Sequence, residues 1–430
     1  MNPAKTARTA PAAAGTLPPM RHTTPSPRTL WTMLLALAAG FALSQAFRTV
    51  AAILATPLQA EFGLSAQALG VFAGAFHFAF GVMQFFMGIG IDLYGVRRTV
   101  LTAFPMAAAG ALMAALAPGY GVLVLGQVLI GIGCAPAFLV CTVFIARHFP
   151  ASRFAAVSGA VMGLSGVGML ATGTPLAWLV QAFSWRAGFM VLAGACVLAW
   201  CGIYATVHEP APAPGDPKAP RESVAAAVRG FAALFLVRHT WGIVALGAVA
   251  YASFITLRGL WLGPLLIARH GFSLVDSGNV ALAVSLAGIF SAPLFGRLDP
   301  GLARRRRWIV GCTLLTALVF AAMALAHSSW LDVAAPLAIA LLSGYIVLQY
   351  ADVRSAYPAA LTGRAMAVFT MSMFLGVALM QWLTGAVASA AQAQGWEPFA
   401  AVLGAIAALL AAAAAAFAWL PAPAVARGSP

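Results

Sequence analysis

Twelve windows of about 20 apolar residues recur along the chain. A run of that length with almost no charge has one economical use, which is to cross a bilayer as a helix that satisfies its own backbone. The windows fall at 31–55, 67–91, 99–117, 121–146, 155–181 and 187–207, and again at 240–267, 277–296, 308–327, 331–351, 364–390 and 398–420. Only 8% of the 430 residues are charged and 62% are hydrophobic, against about 25% charged in soluble domains. The expected fold class is therefore an all-α membrane protein with 12 transmembrane helices.

The windows form two related sets. Trp31 and Arg48 in the first window recur with the same spacing as Trp241 and Arg258 in the seventh. EFGLSAQALG, from Glu61 to Gly70, matches RHGFSLVDSG, from Arg269 to Gly278, and RHFPASRF meets SAYPAALTGR at Pro150 and Pro358. One half thus reads as a diverged copy of the other. The predicted division is a cytoplasmic tail over 1–29, a six-helix half over 30–207, a Pro-rich linker over 208–239, a second six-helix half over 240–420, and a short tail over 421–430.

The formal charge of +14 is explained by topology. Apart from Arg48, Arg258, Arg186 and Arg269, the Lys and Arg residues fall in the tail and in loops on one side of the predicted membrane. Such asymmetry places those loops and both termini in the cytoplasm, and no nucleic-acid partner is needed to account for the basic character. Residues Met1 to Arg28 lack the short apolar core of a signal peptide. The five cysteines lie within predicted spans, with neither a disulfide framework nor a metal-ligand spacing, so no cofactor is expected. No nucleophile and base at recognisable spacing, and no nucleotide-binding motif, point to an enzyme.

After the second window comes GIGIDLYGVRRT, with Gly88, Asp92, Gly95, Arg97 and Arg98. It resembles the cytoplasmic loop signature of the major facilitator superfamily, and GRLDPGLARRRR, with Asp299 and Arg304 to Arg307, reads as a degraded second copy. With the helix number and the two halves, the chain is identified as a member of that family. The resemblance implies secondary transport by alternating access in a bacterial inner membrane, by a monomer, with the loop acting as a latch between the halves.

Within such a repeat the substrate site is expected near the midplane, between the halves. A charge in mid-span costs on the order of 2.5 kcal/mol or more and should face a protein interior. Arg48 and Arg258 are therefore expected to face each other across one central cavity as an anion clamp, since no acidic residue lies in the middle of a window to neutralise them. This is similar to organic-anion and phosphate-ester members of the family, which carry one arginine on the first helix and one on the seventh. Helical spacing adds Ser44, Gln45 and Phe41 on the face of Arg48, and Tyr251 and Trp261 on that of Arg258. His77 is the mid-span titratable candidate for proton coupling, and the fourth window has Gln127 where proton-driven members often carry arginine. Proton symport and exchange of one anion for another both stay open. The rival readings are efflux of hydrophobic or amphipathic compounds and a sensor that binds the same ligand without moving it.

Overall fold

The computed structural model describes residues 26–208, 229, 232–357 and 359–420. Of the predicted tails only 26–29 are described, and there the first helix already begins at Pro27; most of the linker and the surroundings of Gly88 and Asp92 lie outside the described residues. Among the described residues twelve helices are long and apolar enough to span a membrane: α1 (Pro27–Phe47), α2 (Ala66–Met87), α3 (Leu93–Ala115), α4 (Tyr120–His148), α5 (Ala156–Ala182), α6 (Trp185–Thr206), α7 (Arg238–His270), α8 (Leu274–Arg297), α9 (Leu302–Ala326), α10 (Ser329–Ala356), α11 (Leu361–Ala393) and α12 (Pro398–Trp419). The protein is a multi-pass membrane protein. We call the face near Ser26 and Trp419 proximal and the opposite one distal.

The matching peptides after α1 and α7 have one physical explanation. Gly63 (φ 61°) and Gly271 (φ 69°) end their helices in the left-handed region, which suits glycine. Two residues later Ser65 and Ser273 cap the next helices, accepting from the amides of Ala68 at 3.2 Å and Asp276 at 3.1 Å. The same turn is built twice from the same residues.

Close to these turns an ion pair is also built twice, with its polarity reversed. In the first half Glu61, following α1, pairs with Arg186 at the start of α6 at 2.6 Å. In the second half Arg269, at the end of α7, pairs with Glu397 before α12 at 2.7 Å. Each pair ties the first helix of its half to the last. The second pair is extended by Asp332 at the start of α10, fully buried, which accepts from Arg269 at 2.9 Å and sits 2.7 Å from His270 Nε2.

The halves meet closely on the distal side and at the midplane. The amide of Gln67 donates to Ser389 Oγ at 2.9 Å, and Thr174 Oγ1 donates to Asn279 Oδ1 at 2.7 Å. Glycines bring the backbones together: a Cβ on Gly70 would lie 2.3 Å from the carbonyl oxygen of Gln381, and one on Gly263 2.2 Å from that of Ala52. Neither oxygen can retreat without moving a helix. Gly263→Ala is thus expected to push the distal ends of the halves apart. Disulfide formation between cysteines placed at Gln67 and Ser389 should report this, proceeding efficiently in the parent and falling severalfold with Gly263→Ala. Equal yields in two folded proteins would show that this contact does not hold the distal side closed.

Candidate functional site

The first predicted span, 31–55, is not one helix. It breaks at Arg48 and Thr49, where Thr49 adopts φ −124° and ψ 0°, and resumes as Val50–Phe62. The seventh span is interrupted at the corresponding place by a π-helical turn, Leu257–Trp261, that contains Arg258. The α5 helix is broken nearby at Gly166 and again at Thr172 and Gly173. Freed backbone groups at such depth are tolerated only inside protein or along a cavity, and π turns gather at functional sites. The three interruptions converge on the interface between the halves.

Arg48 projects from its break into an aromatic enclosure. Its guanidinium carbon lies 4.8 Å from the ring centres of both Phe80 and Phe374 and 6.0 Å from that of Phe41. Nη1 donates to Tyr251 Oη at 3.3 Å across the interface, while Nε is buried with no hydrogen-bond partner among the described residues. Ring faces attract a cation but accept no directed hydrogen bond as a carboxylate would. Tyr251, expected beside Arg258, is thus brought to Arg48 instead. Ser44 and Gln45 sit one turn earlier, and Ser44 Oγ and Gln45 Oε1 are likewise buried without a partner.

Arg258 is completely buried and turns the other way. Its Nε donates to Ser285 Oγ on α8 at 2.9 Å, and its Nη2 to the carbonyl oxygen of Met169 in the broken stretch of α5 at 3.1 Å. Nη1 has no hydrogen-bond partner among the described residues. The two guanidinium groups therefore occupy opposite flanks of the crossing between the first and seventh spans, Arg48 toward α2 and α11, Arg258 toward α5 and α8. A polar chain joins the flanks: the Met169 carbonyl also accepts from Thr172, whose hydroxyl is 2.6 Å from that of Thr49, the neighbour of Arg48. Among the described residues neither arginine has a carboxylate within 4.0 Å.

Trp261 lies apart from both, donating to Thr384 Oγ1 on α11 at 2.9 Å and meeting Phe399 edge-on. His77 is buried on α2, its Nδ1 3.2 Å from the Ala73 carbonyl and its Nε2 without a partner. Gln381 on α11, with neither side-chain atom partnered, and Gln127 on α4, with Nε2 unpartnered, add to this mid-membrane polar set. In the loop signature, Gly95 takes φ 82° and separates α2 from α3, and Arg97 donates to the Tyr204 carbonyl at 3.0 Å and stands over its ring, while Arg98 is exposed.

Phe80, Phe374, Ser285 and Met169 were not singled out from sequence. A phenylalanine in an apolar window gives no signal of facing a cation, and a backbone acceptor such as the Met169 carbonyl gives none at all. The glycines around the α5 break, which sequence favours as packing residues, were the available hint.

Residues 36–351 match the family model of the Major Facilitator Superfamily. The hexuronate transporter of Bacillus subtilis (strain 168) is 26% identical over 145 residues, and the match spans about a third of each protein, 34% of this chain and 34% of that one. Among solved structures, a bacterial homologue of the human lysosomal transporter Spinster, inward-facing and occupied, superposes with a TM-score of 0.73 at 18% identity, covering 91% of this chain and 97% of that one. A D-xylose–proton symporter superposes with a TM-score of 0.70 at 15% identity, covering 92% and 99%. Twelve spanning helices, broken helices meeting at mid-membrane and a family match across most of the chain agree: this membrane transporter belongs to the Major Facilitator Superfamily.

Proposed function

We propose that the protein carries a small anionic solute of the carboxylate class, with Arg48 as its anchor. The observation that supports this most is the state of Arg48, a mid-membrane guanidinium ringed by aromatic faces, held by one tyrosine hydroxyl and lacking any carboxylate partner among the described residues. A guanidinium pairs with a carboxylate through two parallel hydrogen bonds and keeps its charge in a dry site. The relative named a hexuronate transporter points to the same class: a sugar acid offers one carboxylate and several hydroxyls, which suit Arg48 together with Ser44, Gln45 and Tyr251. Arg258, satisfied in two directions by the two halves, organises the opposite flank.

Transport proceeds by rocking of the half over 30–207 against that over 240–420, joined by the linker 208–239, as repeat transporters do. The loop of Gly88, Asp92, Gly95, Arg97 and Arg98 latches one of the two states. The excess of Arg and Lys on the proximal side supports an orientation with that side, and both termini, facing the cytoplasm, in a bacterial inner membrane. Coupling is to protons, with His77 as carrier, or to counter-transport of a second anion.

The test is a thermal-shift panel of sugar acids, simple carboxylates, phosphate esters and hydrophobic cations on purified protein. A ligand that binds only the folded state raises the melting temperature, by the equivalent of about 2.7 kcal/mol at 100 times its dissociation constant. Carboxylates are expected to stabilise. Stabilisation by hydrophobic cations alone would favour the efflux reading and overturn this one.

A further inference from the structure

The proximal ends of α9 and α12 enclose a groove of about 390 Å³ lined by Arg306, Arg307, Val310, Gly311, Phe417 and Ala418. Its two ends differ in chemistry. At the mouth stand two guanidinium groups, and one helical turn deeper the walls are apolar. The floor is open at Gly311, where a Cβ would meet nothing within 4 Å.

The arginines at the mouth differ from their neighbour. Arg305 is bound by Asp299 through Nη2 at 2.7 Å and Nε at 3.1 Å, and that contact holds the Asp299 carboxyl below the usual carboxylate range. Arg306 has no ion pair among the described residues. Its Nη2 donates to the Phe417 carbonyl at 3.0 Å and its guanidinium lies 4.2 Å from the Phe417 ring centre, which fixes the group at the groove. Its Nη1 is buried and without a hydrogen-bond partner among the described residues. Arg307 is exposed. Trp308 and Trp419, 40% and 87% exposed, stand at the same level, and exposed tryptophans mark the depth of lipid headgroups. Basic pockets between spanning helices at this depth suit anionic headgroups.

We infer that this groove binds an anionic phospholipid. The headgroup phosphate lies between Arg306 and Arg307, and one acyl chain runs over Gly311 between Val310 and Phe417. The apolar floor selects a lipid over a free phosphate, and two guanidinium groups without an ion pair among the described residues select an anionic lipid over a zwitterionic one. The site is peripheral to Arg48 and stands whatever the transported solute proves to be.

The test is native mass spectrometry of the full protein with phosphatidylglycerol or phosphatidylcholine added in detergent, beside Arg306→Gln/Arg307→Gln and Gly311→Leu. The wild type should retain phosphatidylglycerol about tenfold better than phosphatidylcholine, and both variants should lose that preference. Gly311→Leu leaves both arginines in place and fills open space, so it decides the matter if the double variant fails to fold. Equal retention of the two lipids, undiminished phosphatidylglycerol binding in Gly311→Leu, or displacement of phosphatidylglycerol by millimolar inorganic phosphate would each overturn the assignment.

Discussion

Replacing Arg48 with alanine is expected to lower binding and transport of the carboxylate substrate by on the order of 100-fold, while Arg48→Lys recovers only part of the loss. Truncating one partner of a buried, hydrogen-bonded charge pair costs about 2–5 kcal/mol, and each 1.4 kcal/mol is a factor of ten. Lysine keeps the charge but cannot offer two parallel donors. The variant should fold, because among the described residues Arg48 has only the 3.3 Å bond to Tyr251 and ring contacts to lose, and no carboxylate there is left unpaired. Counterflow of a radiolabelled sugar acid in proteoliposomes measures it. Wild-type rates with alanine at this position would remove Arg48 from the site and leave the aromatic enclosure as a structural feature. Arg258→Ala makes a useful contrast: it deletes bonds to Ser285 and to the Met169 carbonyl and joins two halves less firmly, so it should depress stability as well as transport.

The largest loss of stability is expected from Asp332→Ala. Asp332 is completely buried, and its Oδ2 takes Arg269 at 2.9 Å and His270 at 2.7 Å. Breaking a buried ion pair from one side costs about 3–5 kcal/mol, because the remaining charge is stranded without its partner. Arg269 would keep Glu397 and the Met323 carbonyl, at 2.7 and 3.2 Å, which places the loss toward the lower end of that range. The reversed pair in the first half gives the control. Glu61 and Arg186 are each 38% exposed, so Glu61→Gln should cost no more than about 1 kcal/mol. Denaturation of the two variants in one detergent compares them, and equal losses would show that burial does not set the difference.

The same cluster has an acid limit. Burial alone would raise the Glu397 carboxyl, but Arg269 and the amides of Ala400 and Phe399 outweigh it and hold it below the ordinary range. A carboxyl depressed in the folded state stabilises above its unfolded pKa, near 4.3, and loses that contribution as pH falls through the folded value. Glu397→Gln should therefore flatten the acid side of the stability profile.

Much of the framework was legible because its causes are local. Windows of bilayer length mark helices whatever packs beside them, and a Gly two residues before a Ser dictates a left-handed helix end followed by a cap, which is why EFGLS and RHGFS match. Arg48 and Arg258 were visible for the opposite reason, as the costliest residues in their surroundings. The reversed polarity of the two distal ion pairs was present in the letters, Glu61 and Arg186 against Arg269 and Glu397, but pairing partners more than 100 residues apart leave no periodic trace.

Sequence by itself determined the class, the number of spans, the two related halves and the depth of two arginines, since each follows from transfer energies and helical rise counted along the chain. Which way those arginines turn was decided by tertiary structure. A side chain at a break in a helix no longer follows the 3.6-residue wheel, so spacing from Phe41 or Tyr251 does not predict its direction. What orients Arg48 is the arrival of Phe80, Phe374 and Tyr251 from three other helices, and what orients Arg258 is a carbonyl freed by the break in α5 and the Ser285 hydroxyl. Phe374, Tyr251 and the Met169 carbonyl reach these arginines only once the halves have met.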